Sequence, residues 1–164
     1  MERLLATPTR RLDIILGYMI GLGLFALVQV AVILGFTVAV LRINYLGSLS
    51  LLFLVVTLLA IVGVSLGILA PAFARNKFQV AQFIPLLIIP QALLGDPFWS
   101  VEEMPIHLQL AAQLMPITYA NRALRDVMLR DFGIVEIWPN LVALLAFAAV
   151  LIALGSLTMG REVE

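Results

Sequence analysis

The chain has 164 residues, of which 63% are hydrophobic and only 12% are charged, with a formal net charge of zero. A soluble domain is roughly 45–50% apolar, so the excess must face lipid. A neutral chain whose single lysine is Lys77 offers no basic surface to nucleic acid. Because it contains no cysteine, disulfides and thiolate metal sites are excluded. The composition predicts an all-α integral membrane protein, with residues 1–164 forming a single transmembrane domain.

Four apolar stretches are candidate membrane spans. A spanning helix needs about 20 mostly apolar residues. Three uncharged stretches meet that length: 14–41, 46–74 and 138–159. The last opens with Trp138-Pro139, and a proline is suited to the first helical turn. The fourth stretch, 78–95, carries Pro85 and Pro90, which predict a kinked or broken helix.

Positive residues near the span ends predict the orientation, since cytoplasmic segments are enriched in Lys and Arg. They cluster at both chain ends and in the second short turn: Arg3, Arg10, Arg11, Arg75, Lys77 and Arg161. Both termini are therefore expected in the cytoplasm, with 42–48 and 96–137 outside. Four aromatic residues then fall at the outer interface, where amphipathic rings prefer to lie: Tyr45, Trp99, Tyr119 and Trp138.

Two of the segments outside the spans have amphipathic patterns. Segment 1–13 predicts a short helix on the cytoplasmic surface, which either docks on a soluble partner or is held by anionic lipid. In the outer segment, 104–116 and 118–132 predict two short amphipathic helices that dip into the membrane. Arg122, Asp126 and Arg130 recur every four residues, a spacing that allows ion pairs. That stripe is either a headgroup-facing surface or a substrate contact.

No catalytic constellation is present in the sequence. His107 is the single histidine, and there is no phosphate-binding loop, so we expect neither an enzyme nor a cofactor site in this chain. The three uncharged spans contain a few polar side chains that predict interhelical hydrogen bonds: Gln29, Thr37, Thr57 and Ser65. Two glycine pairs, Gly17/Gly21 and Gly63/Gly67, predict close helix packing, within the chain or with a second copy.

Two separated blocks resemble the type-2 (ABC-2-type) permeases, the membrane subunits of ATP-binding-cassette exporters of drugs, lipids and polysaccharides. The blocks are ERLLATPTRRLDIILG (2–17) and FWSVEEMPIHLQLAAQLMPITYANRALRDVML (98–129). Their order matches the family's third to sixth spans, so the resemblance implies that the first two spans are missing. It also implies a multi-pass protein of a prokaryotic plasma membrane.

The resemblance assigns roles to both blocks. The family's coupling helix, which rests on a separate ATPase subunit, corresponds by position to Glu2, Arg3, Leu4, Leu5, Ala6, Thr7 and Pro8. Its outer gate corresponds to 83–116, with these candidate residues: Pro85, Pro90, Phe98, Trp99, Glu102, Met104, Pro105 and Pro116. The implied partners are an ATPase that holds ATP and Mg²⁺, a second permease copy and membrane lipid, and not nucleic acid.

An alternative hypothesis needs no ATPase. A small four-span protein of similar composition would serve as a membrane scaffold or assembly factor. An intramembrane enzyme is disfavoured, because the sequence shows no nucleophile–base pair and no metal cluster.

Overall fold

The computed structural model describes residues 11–70, 76–95 and 100–158, and all regular structure in these ranges is helical. The helices are α1 (Arg11–Ala39), α2 (Leu49–Leu69), α3 (Lys77–Leu94), α4 (Ile106–Gln113), α5 (Pro116–Arg130) and α6 (Ile134–Thr158). A 3-10 turn, Val101–Glu103, directly precedes α4. The predicted all-α class is confirmed.

Three of the described helices are apolar and long enough to cross a bilayer. Their spanning portions are Gly17–Ala39, Leu49–Leu69 and Ile134–Gly155. The shortest of them has 21 residues and therefore extends about 31 Å. The apolar part of α3, Phe78–Leu94, extends only about 25 Å. Three predicted spans are thus confirmed as helices of spanning length, whereas the fourth stays a prediction.

The start of α6 differs from the predicted one. The helix begins at Ile134 rather than Trp138. The Glu136 carboxylate accepts a 2.9 Å hydrogen bond from the backbone N–H of Gly133. This is one half of a capping box, in which the third helical residue satisfies an N–H group at the helix start. The prediction that Pro139 opens the helix is wrong, since that proline lies inside α6.

The core lies where α2, α5 and α6 meet. Its buried residues include Leu52, Val55 and Val62 from α2, Ala120, Ala123 and Val127 from α5, and Ile137, Leu141 and Leu144 from α6. The two alanines allow α5 to approach its neighbours closely. α1 packs against α2, yet Val30 is its single buried side chain among residues 17–39. Most of the apolar surface of α1 therefore faces outward, as expected for contact with lipid.

The loop between α1 and α2 packs on the last turn of α5. The backbone N–H of Leu46 donates to the carbonyl of Met128 at 3.0 Å. A Cβ atom on Gly47 would collide with the carbonyl oxygen and side chain of Val127, so the close approach requires glycine. The end of α1 and the start of α2 therefore lie beside residues 131–133, which connect α5 to α6. We call this the 131–133 end of the bundle.

Candidate functional site

Helices α4 and α5 form a hairpin, defined here as residues 106–130, whose turn is held by side chains. The buried Thr118 hydroxyl donates to the carbonyl of Ala112 at 2.7 Å. The Tyr119 hydroxyl donates to the carbonyl of Gln113 at 2.9 Å. Both acceptors belong to the last turn of α4, whose carbonyls have no partner within their own helix. Residues of α5 thus cap α4, and the two helices form one unit.

The turn of the hairpin lies beside α2 and α6 far from the 131–133 end. Leu114, Met115 and Pro116 line a cavity of about 240 Å³ together with Leu66 of α2 and Leu151 of α6. From this turn, α5 returns over 15 residues, about 22 Å, to the 131–133 end. The hairpin therefore enters the bundle to about two thirds of the length of α2.

Tyr119 lies near the turn and not at the end that contains Tyr45 and Trp138. Its ring centroid is 5.9 Å from that of Phe147. Phe147 is about 20 Å along α6 from Ile134 by helical rise. The prediction that Tyr119 shares an interface with Trp138 is therefore wrong, because α5 carries it inward.

The proline-bearing helix α3 is unbroken and is fixed to the hairpin at its end. Both Pro85 and Pro90 lie inside the helix, so the predicted break is wrong, whereas the alternative of a kink stays a prediction. Asn121 of α5 donates from Nδ2 to the carbonyl of Gly95 at 2.6 Å. A Cβ atom on Gly95 would collide with Ile117, so α3 and α5 meet through a glycine. Sequence reasoning missed this contact, because a lone glycine after a helix ordinarily indicates only a helix end.

An open apolar cleft of about 550 Å³ separates α2 from α3. Its lining includes Leu59, Val62, Gly63, Leu66 and Gly67 of α2, and Val80, Ile84, Leu87, Ile88 and Gln91 of α3. Gln91 is the polar side chain of that lining, and its Nε2 donates to the carbonyl of Leu87 at 3.2 Å. The cleft is therefore a nearly uniform hydrocarbon surface that is open to one side.

No other part of the described chain packs where a side chain on either glycine pair would project. A Cβ atom on Gly17, Gly21, Gly63 or Gly67 would meet nothing within 4 Å. Gly63 and Gly67 face the cleft. Close packing against a second copy stays a prediction for both pairs.

Two of the four polar side chains in the spans form hydrogen bonds within their own helix. Thr37 donates to the carbonyl of Ile33, and Ser65 donates to the carbonyl of Ile61, both at 2.8 Å. The predicted interhelical bonds are therefore wrong for these two residues, because the carbonyl one turn earlier is within reach of a short hydroxyl side chain. The Thr57 hydroxyl is buried without a hydrogen-bond partner. The Gln29 side chain forms no hydrogen bond with the described part of the chain.

The charged stripe on α5 is paired at one end. Arg130 contacts Asp126 at 3.0 Å, and its side chain is 63% exposed. The half-buried Arg122, one turn before Asp126, makes no hydrogen bond or ion pair with any described residue. The predicted ion pairing is thus confirmed for Asp126 and Arg130 and absent for Arg122.

The remaining predicted gate residues lie around the start of α4. Glu102 is exposed on the 3-10 turn, Met104 is buried beside Val101 and Ala112, and Pro105 is the N-cap of α4. Gln109 fixes this turn by donating to the carbonyl of Met104 at 2.8 Å. The gate candidates Phe98 and Trp99, and the coupling candidates at positions 2–8, lie outside the described residues.

Comparison with known proteins identifies relatives along nearly the whole chain. The family described as "ABC-2 type transporter" matches residues 1–129. "ABC transporter G family member 20" of Dictyostelium discoideum is 27% identical over 99% of this chain and 22% of its own length. A "probable multidrug ABC transporter permease" of Escherichia coli (strain K12) is 25% identical over 100% of this chain and 44% of its length.

A third relative is a "linearmycin resistance permease protein" of Bacillus subtilis (strain 168). It is 26% identical over 94% of this chain and 40% of its own length. The chain therefore spans less than half of the length of each of these three relatives. No solved structure matches it. The family match includes the two helices of the hairpin almost completely.

Proposed function

The chain belongs to the ABC-2 type transporter family, and on that premise we propose that it is a translocating subunit of an ATP-driven exporter. Its cargo would be a hydrophobic or amphipathic molecule such as a drug, a lipid or a polysaccharide. Two bacterial relatives carry names that refer to multidrug transport and to linearmycin resistance. The observation that carries the proposal is the hairpin, which enters a bundle whose outer faces are apolar.

We propose that the hairpin is re-entrant from the outer side of a prokaryotic plasma membrane, with α3 as the fourth span. Both chain termini would then be cytoplasmic. The outer gate would comprise the prolines of α3, the segment that contains Phe98 and Trp99, and the start and turn of the hairpin. A second copy would provide the opposite wall of the path, and membrane lipid would cover the exposed apolar faces of α1.

ATP binding is assigned to a partner subunit, which would hold ATP and Mg²⁺. Positions 2–8 would contact that subunit, and the following helix α1 packs along α2. A push on segment 1–13 would then move two long helices together as a rigid body. Under this proposal the chain is not itself an enzyme.

The experiment is co-purification of the ATPase from native membranes. Replacing Leu4 and Leu5 by Asp places two charges in the proposed apolar contact, so we expect the ATPase to be lost from the complex. Leu46→Asp is the matched control, because this side chain is 69% exposed. Leu46 follows the last residue of α1, whereas positions 2–8 precede its first residue. Normal ATPase recovery with the doubly substituted chain would show that positions 2–8 are not the coupling contact. Failure of the unsubstituted chain to recover any ATPase would favour a scaffold without ATPase coupling.

A further inference from the structure

Arg122 lies alongside the apolar spans and not beyond their ends. It precedes Arg130 by eight residues, so it is about 12 Å from the 131–133 end along α5. The spanning portion of α6, Ile134–Gly155, begins directly at that end. Leu141 and Leu144, which belong to this portion, share the core with Ala120 and Ala123 of α5. Arg122 therefore lies on a part of α5 that packs beside the membrane-spanning portion of α6.

The surroundings of Arg122 leave its charge unbalanced. Ala120, Ala123 and Val127 form the buried face of α5, and Arg122 projects from the other side of the helix. The nearest carboxylate along the helix, Asp126, pairs with Arg130 instead. Since Arg122 has no partner among the described residues, the cost of holding an ionised group at this depth is not offset within the chain.

The same face of α5 also presents apolar surface. Leu129 is two helical turns from Arg122, so the two side chains point in the same direction. The Leu129 side chain is 64% exposed. A cation beside an exposed apolar side chain complements a molecule with an anionic head and an apolar tail. The planar guanidinium is suited to two-pronged binding of phosphate, sulfate or carboxylate.

We infer that Arg122 binds the anionic headgroup of an amphiphile, with Leu129 in contact with the adjoining apolar part. The binding site is argued from the geometry of α5 alone. The statement that the bound amphiphile is the exported cargo rests on the proposed function. The headgroup chemistry is shared by lipid-like molecules and by free anions such as inorganic phosphate. The apolar surroundings favour the amphiphile as its source.

Binding to the purified chain in the uncharged detergent dodecyl maltoside tests the inference without any ATPase. Isothermal titration compares dodecyl phosphate with dodecanol, and we expect the phosphate to bind about tenfold more tightly or better. Arg122→Gln should abolish that preference, whereas Arg122→Lys should retain part of it. Arg42→Gln removes the same charge from an exposed position in the loop after α1 and should leave the preference within about twofold.

Three results would overturn the inference. They are an unchanged preference in Arg122→Gln, an equal loss in Arg42→Gln, and displacement of dodecyl phosphate by equimolar inorganic phosphate. Circular dichroism of each variant should show unchanged helix content, which distinguishes a loss of binding from a loss of fold. Arg122-dependent binding without a co-purifying ATPase would uphold this site and refute the proposed exporter. A co-purifying ATPase without Arg122-dependent binding would uphold the exporter and refute this site.

Discussion

Gly95 fixes the end of α3 to the hairpin through a contact that tolerates no side chain. Ile117 of α5 and the carbonyl of Gln91 occupy the space where its Cβ atom would lie. Its φ angle of −81° is ordinary for any residue, so the need for glycine comes from space rather than backbone conformation. Gly63 is the opposite case, because it lies in a helix and faces an open cleft.

The two glycines should respond oppositely to alanine. Gly95→Ala must displace Ile117 or the end of α3, and we expect it to lower the free energy of unfolding by about 1–3 kcal/mol. Gly63→Ala should raise it by up to about 1 kcal/mol, because alanine restricts the unfolded chain and favours the helix. Thermal unfolding in detergent, followed by circular dichroism, measures both. Equal shifts in the two variants would mean that α3 is not held at Gly95.

The sequence predicts the existence of the long helices better than their bounds or their position in the fold. Long uncharged stretches predict α1, α2 and α6 because lipid contact requires apolar side chains at almost every position. The start of α6 was missed because it depends on Glu136 reaching back to Gly133, which competes with the more familiar signal of Pro139. The amphipathic pattern of 104–132 does not distinguish helices that lie on a membrane surface from helices that pack inside a bundle.

The depth of the hairpin follows from contacts that are distant in sequence. The turn meets Leu66 and Leu151, and periodicity within the hairpin contains no information about either. The same holds for the glycine pairs, whose spacing indicates that a close helix contact is allowed and not which helix makes it. The charged stripe was located correctly by spacing, but only the fold shows that Arg122 is left without its expected partner.

The hairpin should depend on the bond between Thr118 and Ala112. In Thr118→Val the carbonyl of Ala112 loses the Thr118 hydroxyl at nearly constant side-chain volume but keeps the backbone N–H of Met115 at 3.0 Å. The loss of this one hydrogen bond should destabilise the protein by about 0.5–1.5 kcal/mol. Thr57→Val is the matched control, because the buried Thr57 hydroxyl has no partner to lose and its removal should be neutral or stabilising. Chemical unfolding in mixed micelles distinguishes the two. A Thr118 variant as stable as the Thr57 variant would contradict this role for the turn.

At the scale of the whole molecule, the bundle is tightly packed on one side and open on the other. The core joins α2, α5 and α6, whereas α3 contacts the rest chiefly through the hairpin and lines the cleft. The hairpin thus connects a packed half to a loosely attached helix. Because α5 belongs to the core, a displacement of α3 relative to α2 would leave the contacts among α2, α5 and α6 in place.

The proposed orientation can be tested directly because the natural chain contains no cysteine. Leu46 and Asn76 are both exposed, and they lie before the start of α2 and before the start of α3, respectively. Since α2 extends about 31 Å between them, they should lie on opposite sides of the membrane. With an impermeant maleimide on intact cells, we expect Leu46→Cys to react at once and Asn76→Cys to react only after permeabilisation. The reverse pattern would place the hairpin entrance in the cytoplasm, and labelling of both from outside would show that α2 does not span.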